Sequence, residues 1–238
     1  MASTAQFGLP LLAPAQAQKH VTVNEALAIL DAVAQLRVLS STTQAPPSDA
    51  NEGEAFLVPM GASGAWSGRS EQVAVWSNGG WLYLKPKAGW CAWDAAANGR
   101  RVFDGTEWVA DAVVTSPGGA NSSWSLIEFD HVVSAGASNT TVFTIPGNSQ
   151  VHAVTGRVVE GLAGTGLTGW RIGVAGANNR YGSGIGTARN SYFIGVSGAP
   201  VTYYENTPIQ LQADAGSFLT GRVRIAVTLT QFRPPRAF

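Results

Sequence analysis

The stretch Gly221-Arg222-Val223-Arg224-Ile225-Ala226-Val227-Thr228-Leu229-Thr230-Gln231-Phe232 places Val223, Ile225, Val227 and Leu229 in strict alternation with Arg222, Arg224, Ala226 and Thr228. Successive side chains of a strand point to opposite faces, so this pattern predicts a β-strand with one face buried. Upstream of it, apolar runs at 125–133, 140–145, 151–159, 169–175, 191–196, 201–204 and 209–213 bring the total to eight short strands within residues 124–238. That density of strands predicts a β-sandwich of jelly-roll type. The glycine-rich stretch 178–192 reads as a long loop.

Further toward the N-terminus the pattern changes. Residues 115–123, with Pro117-Gly118-Gly119 and Asn121-Ser122-Ser123, read as a linker. Before it, residues 53–114 carry runs at 56–58, 73–76, 81–84, 89–93, 101–103 and 108–109, with Asn78-Gly79-Gly80 and Asp104-Gly105 as hairpin turns. This predicts a small antiparallel β domain. It holds Trp66, Trp76, Trp81, Trp90, Trp93 and Trp108, six of the eight tryptophans. Two readings stand for these rings: they stack on sugars, or they fill the core of a small sheet and its subunit contacts.

Residues 42–52 form another linker, and residues 1–41 an arm with one helix. Thr22 and Glu25 have capping-box spacing, which predicts a helix starting at Thr22. Ala26, Ile29, Leu30, Val33 and Leu36 then lie on one stripe, with Asn24, Asp31 and Gln35 away from it. The stripe packs either on its own chain or on copies of itself about an oligomer axis, which makes these five the candidate oligomer and anchoring residues. The whole chain is thus mainly β: an arm with an α-helix, a Trp-rich antiparallel domain and a C-terminal β-sandwich.

Composition narrows the function. The 238 residues, 24.8 kDa, carry only 13% charged side chains and a formal net charge of +0, so the bulk positive charge of a general nucleic-acid binder is missing. The charge is unevenly placed: residues 1–123 hold 7 basic and 10 acidic groups, residues 124–238 hold 8 and 5, a net of −3 against +3. Arginine dominates the basic set, since Lys19, Lys85 and Lys87 are the only lysines. The single cysteine, Cys91, excludes an internal disulfide framework. The longest apolar candidate, residues 26–34, is too short to span a bilayer and is broken by Asp31, so membrane insertion is not expected. Leu11-Leu12 followed by Ala13, Ala15 and Ala17 lacks the positive leader of a signal peptide.

Enzyme signatures are weak. His20, His131 and His152 are scattered, with no HExxH, GxSxG or phosphate loop around them, and Gly182-Ser183-Gly184-Ile185-Gly186 lacks the Lys and helix that would hold a phosphate. Glu128, Asp130, Glu160, Glu205 and Asp214 are the only carboxylates from which the C-terminal part can assemble a hydrolytic pair. No catalysis, cofactor or metal is expected. The less ordinary feature is the run from Trp170 to Tyr204, which contains no acidic residue. Trp170, Arg171, Arg180, Tyr181, Arg189, Tyr203 and Tyr204 are the candidate carbohydrate-binding residues, because guanidinium groups donate in pairs to carboxylates and hydroxyls while aromatic rings stack on sugar faces. The competing reading is that the glycines thread a subunit interface.

Pro10-Leu11-Leu12-Ala13-Pro14-Ala15-Gln16-Ala17-Gln18-Lys19-His20-Val21-Thr22-Val23-Asn24-Glu25-Ala26-Leu27, with the later Gly-Ala-Trp, Gly-Gly-Trp and Phe-Asp-Gly-x-x-Trp elements, resembles a phage-related domain of unknown function from alphaproteobacterial prophages and gene transfer agents. The resemblance covers about residues 1–110; the remainder, including Asn179-Arg180-Tyr181-Gly182-Ser183-Gly184, resembles domains that follow it in the same proteins. It implies a virion appendage, a gene transfer agent head spike or a phage fibre, involved in attachment to the cell surface; together with the arginine- and aromatic-rich run this makes host cell-surface polysaccharide one expected partner and capsid or tail proteins of the particle the other. It transfers no catalytic or binding residue. An appendage of this kind is expected at the particle surface, assembled in the cytoplasm and released by lysis. A homo-oligomer is expected, a trimer first and a pentamer as the alternative. A purely structural capsid or tail component and a polysaccharide depolymerase are the competing functions.

Overall fold

A computed structural model describes residues 2–12 and 19–237. The chain divides into two compact units, residues 1–120 with 235–238, and residues 121–234.

In the first unit, helix α1 (Lys19–Ala34) precedes strands β1 (Arg37–Val38), β2 (Ala55–Leu57), β3 (Val73–Ser77), β4 (Gly80–Leu84), β5 (Cys91–Asp94), β6 (Gly99–Phe103), β7 (Trp108–Ala110) and β8 (Ala112–Thr115). One antiparallel sheet runs β2-β3-β4, and its β3–β4 turn uses Asn78 and Gly79 at φ 52° and 76°, as the sequence predicts. A second sheet runs β1-β5-β6-β7 and departs from the antiparallel expectation, because β1 joins β5 in parallel with Arg37 opposite Trp93. Leu36, Val38, Leu57, Val73 and Val75 share a core, with Trp90 and Trp108 packed against it. Trp66 is fully buried, and its ring lies 5.3 Å from Phe56 and 5.2 Å from Trp81, which in turn meets Trp76 at 5.1 Å. These rings therefore fill the interior, whereas Trp93 is exposed.

The helix differs from its sequence reading in start and in face. It is already formed at Lys19, so Thr22 lies inside it and not at its start; residues 13–18 lie outside the described residues. Ala26, Ile29 and Leu30 are exposed and Val33 is half-buried, while Leu36, just past the helix, is buried. Asp31 and Ala32 face inward instead. The cause is the N-terminal arm: the Asp31 carboxylate accepts from Thr4 Oγ1 and from the Gln6 and Phe7 amides, each at 2.7 Å. Asn24, two helical turns earlier on the same face, accepts from the Leu12 amide at 2.9 Å. No helix among the described residues is long and apolar enough to cross a membrane.

The second unit contains β9 (Asn121–Val132), β10 (Ser138–Ile145), β11 (Ser149–Thr165), β12 (Trp170–Val174), β13 (Ala177–Ile185), β14 (Tyr192–Tyr203), β15 (Thr207–Ala213) and β16 (Ser217–Arg233). Their antiparallel pairs are nested: β9 with β16, β10 with β15, β11 with β14, and β12 with β13. Pairing of β11 with β16 and of β12 with β15 completes two sheets, ordered β14-β11-β16-β9 and β10-β15-β12-β13 within this unit. This is the jelly roll that the strand spacing predicts. Val223, Ile225, Val227 and Leu229 of β16 are all fully buried, and they form one core with Ile172, Ile209 and Leu211 of the opposite sheet.

Two predicted boundaries change. Residues 177–185 form a strand where a loop is expected, and the expected strands 191–196 and 201–204 join into the single β14. β14 pairs with β11 on both sides of the junction, Val201 opposite Val151 and Val196 opposite Ala153, so residues 197–200 of β14 bulge opposite the single residue His152.

Candidate functional site

Alternation along the strands decides which side chains each sheet presents. On β15, Ile209, Leu211 and Ala213 point into the core, so Gln210 and Gln212 point outward, with Asp214 just beyond the strand end. On β12, Trp170 and Ile172 point inward and Arg171 outward. Register places Gln212 between Ser138 of β10 and Arg171 of β12, and places Gln210 between Thr140 and Gly173. Gly173 has a local consequence. A Cβ there would stand 2.0 Å from the Ala177 carbonyl oxygen, so only glycine lets the start of β13 come this close. Asn178 is thereby held over β15, where its amide donates to Gln212 Oε1 at 2.5 Å.

The result is a hollow of about 350 Å³ lined by Ser138, Gly176, Asn178, Gln210 and Gln212. Beside it, Arg171 Nε donates to Asp214 Oδ1 at 2.8 Å, and the other Asp214 oxygen accepts from the Gly184 amide at 3.2 Å. The guanidinium is thus oriented by a carboxylate that is itself anchored to β13. The face offers amide groups that both donate and accept, hydroxyls and a fixed cation, all half-buried or exposed. Such groups recognise hydroxyl-rich ligands through paired hydrogen bonds.

The seven residues singled out in the sequence do not form one surface. Trp170-Arg171, Arg180-Tyr181 and Tyr203-Tyr204 are adjacent pairs, and each is split between the core and solvent. Trp170 is fully buried and donates its indole N–H to the Gly186 carbonyl at 3.1 Å. Tyr181 and Tyr203 are buried with their hydroxyls 2.6 Å apart. Burial, and then the Tyr203 hydroxyl, push the Tyr181 phenol above its ordinary range and keep it neutral. These three aromatics are core side chains. Arg171 lies on the polar face, Arg180 is exposed on β13, Arg189 is exposed in the loop before β14, and Tyr204 is exposed beyond its end. Gln210, Gln212, Ser138 and Asn178 were absent from the sequence candidates, although Gln210 and Gln212, alternating with Ile209, Leu211 and Ala213, carry the period-two signal.

Several titratable groups of this unit are engaged structurally. Asp130 accepts a two-pronged bond from Arg224, at 2.7 and 3.0 Å, which holds its carboxyl below the ordinary range. Glu160 pairs with Arg222 at 2.6 Å. His152 stacks on Trp124 with ring centres 4.5 Å apart, and its Nε2 lies 3.0 Å from the Thr230 hydroxyl. Burial lowers the His131 pKa. Among the described residues, no three His, Cys, Asp or Glu side chains are grouped to hold a metal.

Residues 23–109, within the first unit, match a family described as a protein of unknown function, DUF2793. No curated protein matches the chain. Among solved structures, it is similar to a chain of the cyanophage Pam1 capsid asymmetric unit, with 22% identity over 47% of this chain and 84% of that one, at a TM-score of 0.33. It is also similar to a chain of the acid-stable capsid of Helicobacter pylori bacteriophage KHP30, with 13% identity over 45% of this chain and 94% of that one, at a TM-score of 0.30.

Proposed function

We propose that the protein is a virion appendage, a gene transfer agent head spike or phage fibre, that works as a homo-oligomer at the particle surface and attaches the particle to host cell-surface polysaccharide. On this reading the glycan lies on the polar face of the jelly roll. The observation that carries it is the hollow walled by Asn178, Gln210 and Gln212 next to the Arg171–Asp214 pair. Asn178 and Gln212 orient each other, so two planar amides are set in place before ligand arrives and less ordering entropy is lost on binding. Neighbouring sugar hydroxyls can each accept from one such group and donate to the next, and Arg171 adds a donor for an acidic sugar. The resemblance of residues 10–27 to phage and gene transfer agent proteins supports the virion setting. Individual sites of this kind are weak, and repetition across chains raises avidity by about 10² to 10⁴. The attachment is binding without cleavage.

Incubating the full-length protein with capsular polysaccharide from a susceptible strain, and measuring both retention and new reducing ends, tests the reading. Saturable retention without reducing ends is expected. Asn178→Ala with Gln212→Ala should weaken retention about tenfold while leaving thermal unfolding in place. Undiminished retention by that variant would move the glycan off this face. Reducing ends would establish a depolymerase, and no retention by the wild type would favour a purely structural component.

A further inference from the structure

The outer face of the other sheet, β14-β11-β16-β9, has a different chemistry. Along the edge strand β14, Tyr192, Ile194 and Val196 are 63%, 67% and 70% exposed; along β9, Trp124, Leu126 and Val132 are 51%, 65% and 67% exposed. Midway along the two strands between them the outward side chains are small. Register sets Thr155 and Ala226 side by side, flanked by Ile194 and Glu128. Between the two rows runs a trough of about 570 Å³, bordered by Tyr192 and Ile194 on the β14 side and by Glu128 on the β9 side, with Thr155, Arg157, Arg224 and Ala226 along its floor. Rows of exposed large apolar side chains on one side of a sheet are the kind of surface that contact with another chain covers.

We infer that this trough is covered by a second copy of the same chain, the β14 ridge of one copy seated in the trough of the next. This rests on the reading that the protein self-associates, and does not depend on its binding glycan. Charge selects the occupant. The face carries Arg157, Arg222 and Arg224 against Glu128, Asp130 and Glu160, so it opposes a copy of itself without net repulsion and offers no excess charge to a strongly acidic or basic partner. Arg224 and Arg222 are already paired with Asp130 and Glu160, so covering them strands no charge. Arg157 and Glu128 are the two with spare capacity. Arg157 bonds the Asn190 carbonyl at 3.0 Å and sits 5.2 Å over the Tyr192 ring, beside the ridge, whereas Glu128 stands across the trough, 3.8 Å from Arg224. A ridge entering a neighbouring trough brings Arg157 of one copy to Glu128 of the other. Such a head-to-tail contact uses different halves of the face on each copy and closes into a ring when its rotation permits.

Sedimentation of the full-length protein at micromolar concentration tests this. The wild type should run as a multiple of 24.8 kDa. Ile194→Glu with Val196→Glu should run as a monomer with unchanged circular dichroism. Glu128→Arg should weaken association about tenfold, and adding Arg157→Glu should restore it, a rescue that misfolding cannot mimic. A monomeric wild type would overturn self-association and this inference together. An oligomer that survives both the ridge variant and Glu128→Arg would overturn this interface alone and leave self-association standing. Polysaccharide retention lost with the ridge variant while the oligomer persists would make the trough a glycan surface and overturn the inference.

Discussion

Asp31 shows how one residue changes the reading of an element. In the sequence it interrupts an apolar run and sits off the expected stripe; in the structure it is 4% exposed and holds the arm through three hydrogen bonds. Its partners Thr4, Gln6 and Phe7 lie 24 to 27 residues away in the chain, so periodicity within the helix carries no trace of them. Replacing Asp31 by Ala would leave Thr4 Oγ1 and two amides without an acceptor, which costs about 1–3 kcal/mol. The expected outcome is a lower melting temperature and rapid proteolytic loss of residues 1–12, measured by mass spectrometry against the wild type. An arm as resistant as before would show that Asp31 does not hold it. The split pairs Trp170-Arg171, Arg180-Tyr181 and Tyr203-Tyr204 carry a similar lesson. Residue type suggested one cationic, aromatic surface, but strand geometry sends each aromatic of those pairs except Tyr204 into the core.

At the scale of elements, β16 was legible because its alternation is unbroken, and the β3–β4 hairpin because Asn-Gly supplies the positive φ its turn requires. β13 was not legible. Gly182 and Gly184 dilute its period-two signal, and it is a strand because β12 supplies its hydrogen-bond partners. β13 is also pressed against β14. A Cβ on Gly195 of β14 would stand 2.1 Å from the Tyr181 carbonyl oxygen, whereas one on Gly198 of the same strand would meet nothing within 4 Å. Gly195→Ala should therefore destabilise the protein by about 1–3 kcal/mol by forcing these strands apart. Gly198→Ala should stay within about 0.5 kcal/mol of the wild type. Urea unfolding of both variants checks this, and equal midpoints would show that the close approach costs nothing to relieve.

For the whole molecule, the division at residue 120 separates two cores, and every buried residue of the jelly-roll core lies between Val133 and Leu229. A fragment of residues 121–234 should fold alone, with a cooperative melt and the circular dichroism of a β protein; a fragment that stays unfolded would show that the first unit is needed for its stability. The sequence by itself determined that this chain is mainly β, that its C-terminal part holds short strands with one apolar side, and where its tightest turn falls. Those are local properties, written in the spacing of neighbouring side chains. Only the tertiary structure decided that β9 pairs with β16 and β10 with β15, so that Gln210, Gln212, Arg171 and Asn178 meet on one face while Tyr192, Ile194 and Glu128 border the trough on the other. Alternation states that one side of a strand is covered, but the partner that covers it, and the neighbours its outer side acquires, come from segments as far apart in the chain as Asn121 and Arg233.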